Sequence, residues 1–252
     1  MTEIFLLSFI QGITEFLPVS SSSHLILFSE YSNFQEKSLS IDVSLHMGSF
    51  LAVLTYFFKD ITNFIKNKVL LFKIFISSIP IMLIGYFLVE TNLIENLRNI
   101  KVIAWTTLIF GILLYISDKN NIDKNIEKDF NLKSAIFIGI FQIISLIPGV
   151  SRSGITLTAA RLLNFNRVDA AKISFLLSIP TLGAVSVFGL KNIINAGDLN
   201  FSFMNLFSIF ASFLFSLLTI KFFLKYLKKF NLKVFVIYRI LLGIILLFLS
   251  YL

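Results

Sequence analysis

Gln11 and Glu15 stand four residues apart in an otherwise apolar stretch, so on a helix they share one face. A carboxylate placed that deep needs a partner. The plain alternative is a buried ion pair or hydrogen bond that fixes helix packing. The chemical reading is a pair of oxygen ligands for a hard divalent cation, Mg²⁺ or Ca²⁺. Ser21 and His24 stand three apart and also share a face, which is the arrangement of a nucleophile and a base. Serine is equally common as polar glue between membrane helices, so that pair is weak evidence alone. Arg152 changes the balance, because its planar fork suits phosphate oxygens and the hydroxyls of Ser151 and Ser153 flank it. Helix N-termini expected just after the breaks near Ser20 and Ser151 would add backbone N–H groups that favour an anion. Brought to one point, these residues form a site for a multiply charged phosphate, and most simply a diphosphate.

The elements that must position them are membrane elements. Of the 252 residues 56 % are hydrophobic and 14 % charged, against about a quarter charged in soluble domains. The chain therefore reads as an all-α integral membrane protein. It has no cysteine, which excludes disulfides and thiolate metal sites. Thr2-Glu3 leads straight into Ile4–Phe9 without a basic leader region, so Met1 is expected to be the mature start. The net charge of +8 is concentrated in short loops beside apolar runs, which points to anionic lipid headgroups and not to nucleic acid.

Residues 4–17 are apolar but short of the about 20 needed to span, and Pro18 stops them. Ser20 can cap a second short helix reaching about Tyr31. The pair predicts a re-entrant hairpin over 3–33, and such non-helical backbone at depth is tolerated only beside protein or a wet cavity. A second hairpin is expected over 133–163, around Ile147-Pro148-Gly149-Val150-Ser151-Arg152-Ser153-Gly154. An arginine at such a depth costs roughly 2.5–3.5 kcal/mol on insertion scales and is normally paired and functional. Val19-Ser20-Ser21-Ser22 repeats as Val150-Ser151-Arg152-Ser153, and Gln11 as Gln142 at the same offset.

Six full spans complete the reading, at about 42–58, 70–89, 100–117, 168–190, 202–224 and 232–252. Each half, 1–117 and 133–252, is then one hairpin plus three spans. Three is odd, so the second half must be inverted relative to the first across the cytoplasmic loop 118–132. The basic clusters Lys59–Lys73, Lys119–Lys133, Arg161–Lys172 and Lys221–Lys233 all fall on one face of this topology. The other face receives only Lys37, Arg98, Lys101 and Lys191. By the positive-inside rule both termini and the first hairpin lie outside. Arg152 and Arg239 lie within the membrane. His46 reads as a packing or rim residue, Asp42 as an N-terminal cap, and Asp118–Asp129 as a solvated mixed-charge loop. Pro80 and Pro180 are expected to kink their spans.

Gln11-Gly12-Ile13-Thr14-Glu15-Phe16-Leu17-Pro18-Val19-Ser20-Ser21-Ser22-Ser23-His24 and Pro148-Gly149-Val150-Ser151-Arg152-Ser153-Gly154 resemble the two signature motifs of the undecaprenyl-diphosphatase (bacitracin-resistance protein) family. The similarity covers nearly the whole chain, including the Gly48-Ser49 and Ala52-Val53 region. It implies a bacterial inner (plasma) membrane enzyme that hydrolyses undecaprenyl diphosphate to the monophosphate and phosphate. That reaction recycles the lipid carrier of cell-wall synthesis. The resemblance further implies a divalent cation, Mg²⁺ or Ca²⁺, held by Glu15 and Gln11. It places catalytic residues at Glu15, Ser21, His24 and Arg152. Phosphate-binding groups fall at Arg152, Ser151, Ser153, Thr156 and Ser20. The family carries glutamate or glutamine at the position of Gln11; the amide here removes one charge. The four-serine run replaces a Ser-Ser-Thr-Gly type run, with Ser23 at the glycine position.

The expected partners are a polyprenyl diphosphate lipid and the surrounding membrane lipids, and a homodimer is open. Serine, histidine and water remain open as nucleophile. A polyprenyl-lipid flippase or transporter is the alternative, since inverted repeats with broken helices are common there. The integral phosphatases that rely on two catalytic histidines and Arg-Pro motifs fit poorly, because only His24 and His46 exist and no Arg-Pro pair does.

Overall fold

The computed structural model describes residues 1–31, 39–66, 68–91, 93, 97–119, 124–195 and 202–252. Lys37, the last two residues of the expected 3–33 hairpin and residues 120–123 of the connecting loop lie outside that set. The described residues form helices in the order α1 (Thr2–Thr14), α2 (Ser21–Tyr31), α3 (Leu39–Tyr56), α4 (Phe58–Lys66), α5 (Lys68–Glu90) and α6 (Ile100–Ser117). These are followed by α7 (Ile126–Asp129), α8 (Leu132–Ile143), α9 (Arg152–Leu162), α10 (Arg167–Asn195), α11 (Phe203–Leu227) and α12 (Lys233–Tyr251). Among the described residues no strand is present. Six of the helices, α3, α5, α6, α10, α11 and α12, are long and apolar enough to cross a membrane. They match the six expected spans. The largest departures are at α3, which ends at Tyr56 and passes into a separate α4, and α10, which extends to Asn195.

The helices flanking the two breaks are short. α1 has 13 residues, α2 has 11, α8 has 12 and α9 has 11. At 1.5 Å per residue they reach about 16–20 Å, well under a hydrocarbon core of about 30 Å. The chemistry of each break is local. Residues 15–19 form turns around Pro18, which cannot continue the hydrogen-bond ladder, and Ser20 then takes a left-handed φ of 75°. In the second break a 3₁₀ turn, Ile144–Leu146, precedes Ile147, whose extended backbone is what a following proline favours. Gly149 (φ 93°) and Ser151 (φ 73°) then turn the chain into α9, with the Ser151 hydroxyl accepting from Gly154 N–H at 3.1 Å. Ser20 and Ser151 are the repeat-related residues of the sequence. Both take a positive φ, 75° and 73°, at the same point of their hairpins.

Packing joins the two halves of the chain. α3 lies against α10 and α11, α6 against α12, α5 against α8, and α1 against α11. Backbones approach closely wherever a small residue allows it, as expected of membrane helices. A Cβ on Gly48 would sit 2.4 Å from the Ile209 carbonyl oxygen, and one on Gly139 would sit 2.5 Å from that of Ser77. Hydroxyls secure the same seams: Ser212 donates to Leu45 O at 2.8 Å, and Ser77 donates to Ala135 O at 2.7 Å.

Two buried charges organise the rest. Arg239, 1 % exposed on α12, donates to four backbone carbonyls. They are Pro18 O at 3.1 Å in the first break, Gly149 O at 2.8 Å and Val150 O at 3.1 Å in the second, and Thr107 O at 3.3 Å on α6. One guanidinium thus ties both breaks to the scaffold. Asp118 differs from its expected solvated role. It is buried, pairs with Arg167 at 2.7 Å and Arg161 at 3.3 Å, and accepts from Leu232 N–H at 3.1 Å. The carboxylate therefore joins the end of α6 to α9, α10 and the start of α12. Asp42 lies within the first turn of α3, and Pro80 and Pro180 lie inside α5 and α10.

Candidate active site

The two breaks meet. Ser153 Oγ donates to Leu17 O at 2.8 Å, and Arg152 Nη2 lies 2.7 Å from Glu15 Oε1, so the pair expected to flank one site is in direct contact. Glu15 follows α1 at the start of the first turn, and Arg152 opens α9. Both side chains are largely buried, with 7 % and 13 % exposure. An ion pair this dry persists when further hydrogen bonds satisfy each partner, and they do. Glu15 Oε2 accepts from Ser21 Oγ at 2.7 Å and from Gln11 Nε2 at 3.0 Å. Arg152 Nη1 donates to Ser174 O at 3.2 Å.

Beside this cluster opens a cavity of about 220 Å³. Its polar wall is Glu15, Ser20, Ser21, Ser22, His46, Ser145, Ser151, Arg152, Ser153 and Thr181, and its apolar wall is Ile81, Leu182 and Val185. The expected residues Glu15, Ser20, Ser21, Ser151, Arg152 and Ser153 all line it. Three others are placed differently. Gln11 is fully buried behind Glu15. Thr156 is also fully buried, with its hydroxyl 2.8 Å from Arg152 O and 2.7 Å from Ser174 Oγ. Thr156 and Ser174 therefore hold Arg152 from below. His24 has both ring nitrogens engaged elsewhere: Nδ1 meets Ser20 O at 2.7 Å, and Nε2 makes a short hydrogen bond with the Tyr238 hydroxyl. Because a carbonyl only accepts, His24 Nδ1 carries a proton. His24 thus braces the left-handed Ser20 and leaves Ser21 to Glu15.

His46, read from the sequence as a packing or rim residue, lies on the cavity wall. Its Nδ1 lies 3.0 Å from Gln11 Nε2, and the residue lines the cavity. Ser49, one turn along, contacts the Gln11 amide at 3.5 Å and is held by Ser216 at 3.0 Å and Ser212 at 3.2 Å on α11. No spacing rule could have joined His46 to Gln11 across 35 residues. The shared seam of Gly48 and Ser49 against α11 was the available clue.

The donor set bears on a cation in a definite way. Among the described residues no group of three or more His, Cys, Asp or Glu converges on one point. Among the described residues Glu15 is the only carboxylate on the cavity wall. Gln11 Oε1, however, is buried with no hydrogen-bond partner among the described residues. One carboxylate on the wall fits a Mg²⁺-like ion that takes most of its ligands from phosphate oxygens and water, whereas Gln11, behind Glu15 with its amide nitrogen toward that carboxylate, does not present its oxygen to the cavity. The set does not fit a self-sufficient protein cage.

Taken together, the site offers an arginine, two break-to-helix junctions and several hydroxyls to an anion, and a serine already hydrogen-bonded to a carboxylate. Those are the parts of a phosphoryl-transfer site. Comparison with known proteins agrees with this assignment. A family model described as bacitracin resistance protein BacA matches residues 4–245. An undecaprenyl-diphosphatase of Pelagibacter ubique is 52 % identical over 250 residues, covering 99 % of this chain and 97 % of that protein. Enzymes of the same name from Aliivibrio salmonicida and Jannaschia sp. are 42 % and 39 % identical, covering 96 % and 98 % of this chain and 95 % and 98 % of theirs. With both signature stretches converging on one cavity and the match running almost end to end, the chain belongs to the BacA bacitracin-resistance family.

Proposed function

We propose that this multi-pass membrane protein hydrolyses undecaprenyl diphosphate to undecaprenyl phosphate and inorganic phosphate. The observation that carries the reading is the contact of Glu15 with both Arg152 and Ser21 on the wall of one cavity. Arg152 grips the terminal phosphate, and the hydroxyls of Ser20 and Ser151 complete its shell, while Ser153, whose proton goes to Leu17 O, ties the second break to the first. Charge growing on the equatorial oxygens is met by groups already in place, which is the main source of rate in phosphoryl transfer.

Ser21 is the nucleophile in this account. Its oxygen bonds to the terminal phosphorus as the bridging P–O bond breaks, its proton passes to Glu15, and the polyprenyl monophosphate leaves with the bridging oxygen. Water then hydrolyses the phosphoserine and releases phosphate. Glu15 hands the Ser21 proton to the departing polyprenyl monophosphate, then takes one from the attacking water and returns it to Ser21 Oγ as the serine P–O bond breaks. His24 holds the Ser20 backbone that presents Ser21, and Thr156 holds Arg152. A divalent cation, Mg²⁺ or Ca²⁺, would be held by Glu15 together with the diphosphate, and when bound it would supply charge neutralisation.

The short helix pairs enter and leave on one side as re-entrant hairpins, and the two halves, 1–117 and 133–252, form an inverted repeat. Support comes from the helix lengths and from the matched positive φ of Ser20 and Ser151. The basic loops lie on the cytoplasmic side of the bacterial inner membrane, so the first hairpin and the cavity mouth face outward. The isoprenoid tail stays in the bilayer while its head enters between spans. Phosphate release by the purified protein in detergent, from undecaprenyl or farnesyl diphosphate, tests the assignment. No gradient exists there, so a flippase would release nothing, and absence of release from the wild-type chain overturns the reading.

A further inference from the structure

Gln11 joins the catalytic carboxylate to His46, and the chemistry of an amide fixes what each partner must do. The Gln11 nitrogen carries two hydrogens and has two good acceptors at 3.0 Å, Glu15 Oε2 and His46 Nδ1. The reverse orientation of the amide would set its carbonyl oxygen against a carboxylate already paired with Arg152, two acceptors facing one another. Nδ1 of His46 therefore accepts, and the ring proton resides on Nε2. His24 is the opposite case, with its proton on Nδ1 against Ser20 O. The two histidines of the chain hold opposite tautomers, and only His46 lines the cavity.

We infer that His46, and not His24, is the histidine that touches the diphosphate: its Nε2–H donates to a phosphate oxygen while Gln11 holds its Nδ1. The inference rests on the diphosphatase reading given above and deepens it. A hydrogen bond from a fixed neutral donor to a charged oxygen adds specificity without adding a second buried cation beside Arg152. Glutamine at position 11 is part of the device. A glutamate there would present only acceptors to the ring, so Nδ1 would carry a proton, and a donor at Nε2 would then require a charged ring.

The test uses the full chain in detergent, labelled with ¹⁵N-histidine. With only two histidines, long-range proton–nitrogen correlations assign each tautomer, and the signal absent from His46→Phe identifies its owner. The expected result is a proton on Nε2 of His46 and on Nδ1 of His24, with methylenediphosphonate shifting the His46 Nε2 signal and leaving His24 in place. A proton on Nδ1 of His46, or a shift confined to His24, overturns the inference. Kinetics supply the second arm, with farnesyl diphosphate as substrate. His46→Gln places an amide nitrogen near the position of Nε2, whereas His46→Asn places one near Nδ1. Relative to wild type, kcat/KM should fall about ten- to a hundred-fold in His46→Asn and His46→Phe, the worth of one hydrogen bond to a charged group. His46→Gln should stay within about tenfold of wild type. Equal rates for the Gln and Asn variants would mean that the ring only packs, and would sink the inference. If wild type itself releases no phosphate, the diphosphatase reading fails, while the tautomers and the methylenediphosphonate shift still judge His46.

Discussion

Arg239→Met removes the guanidinium that ties the two breaks together and keeps most of the stem volume. Arg239 is almost fully buried and donates to Pro18 O, Gly149 O and Val150 O, all at non-helical backbone. Each buried carbonyl left without its donor costs about 1–3 kcal/mol. Relief from burying the cation returns part of this, so the net loss should be about 3–5 kcal/mol, the range seen when a buried charge contact is broken. At about 2–4 °C per kcal/mol for a chain of this size, the unfolding midpoint should fall by roughly 6–20 °C. The assay is thermal unfolding in detergent, followed by phosphate release well below the new midpoint. Release should also fall, because Pro18 and Val150 precede the serines that line the cavity. Arg239→Lys should recover only part of either property, since one ammonium cannot reach three carbonyls in the directions a planar fork does. An unchanged midpoint together with unchanged release in Arg239→Met would refute the reasoning that this residue sets the geometry of the breaks.

Ser21→Ala should abolish the burst of a labelled phospho-enzyme and lower turnover by at least about a hundred-fold; retention of label on another residue would remove Ser21 from its role. Glu15→Gln should lower kcat by about 10²–10⁴-fold through loss of the base, measured as phosphate release at fixed enzyme concentration. Gly149→Ala should be among the most damaging small substitutions, because its φ of 93° disfavours a side chain and a Cβ would stand 1.9 Å from Thr106 Oγ1. Strain and overpacking together should cost about 2–6 kcal/mol, read as a lower midpoint or loss of folded protein.

Much of the architecture was legible because bilayers impose lengths. Six apolar runs of spanning length became α3, α5, α6, α10, α11 and α12, and the two short pairs became α1–α2 and α8–α9. Proline at 18 and Pro-Gly at 148–149 marked the breaks for reasons internal to the peptide unit. The candidate site was legible as far as type and depth went: a carboxylate and an arginine, each unaffordable alone in lipid, found one another. What escaped was everything decided by tertiary contact. Arg239 could be recognised as intramembrane, but its role as a donor to carbonyls of both breaks depends on α12 lying against α6. His46 could be read as a packing or rim residue, but its contact with Gln11 depends on how α3 lies against α1. Ser21 and His24 do share a helical spacing, yet the turn at Ser20 sends the serine to Glu15 and the histidine to Tyr238. Asp118 seemed to open a solvated loop, and is instead buried between Arg161 and Arg167.

The central claim is that a carboxylate from one broken hairpin and an arginine from the other build a single diphosphate site. Phosphate release from undecaprenyl diphosphate by purified Arg152→Ala, compared with wild type at equal amounts of folded protein, tests it most directly. Release should fall about a hundred- to a thousand-fold, the worth of a preorganised donor to transition-state charge. Release at the wild-type rate would contradict it.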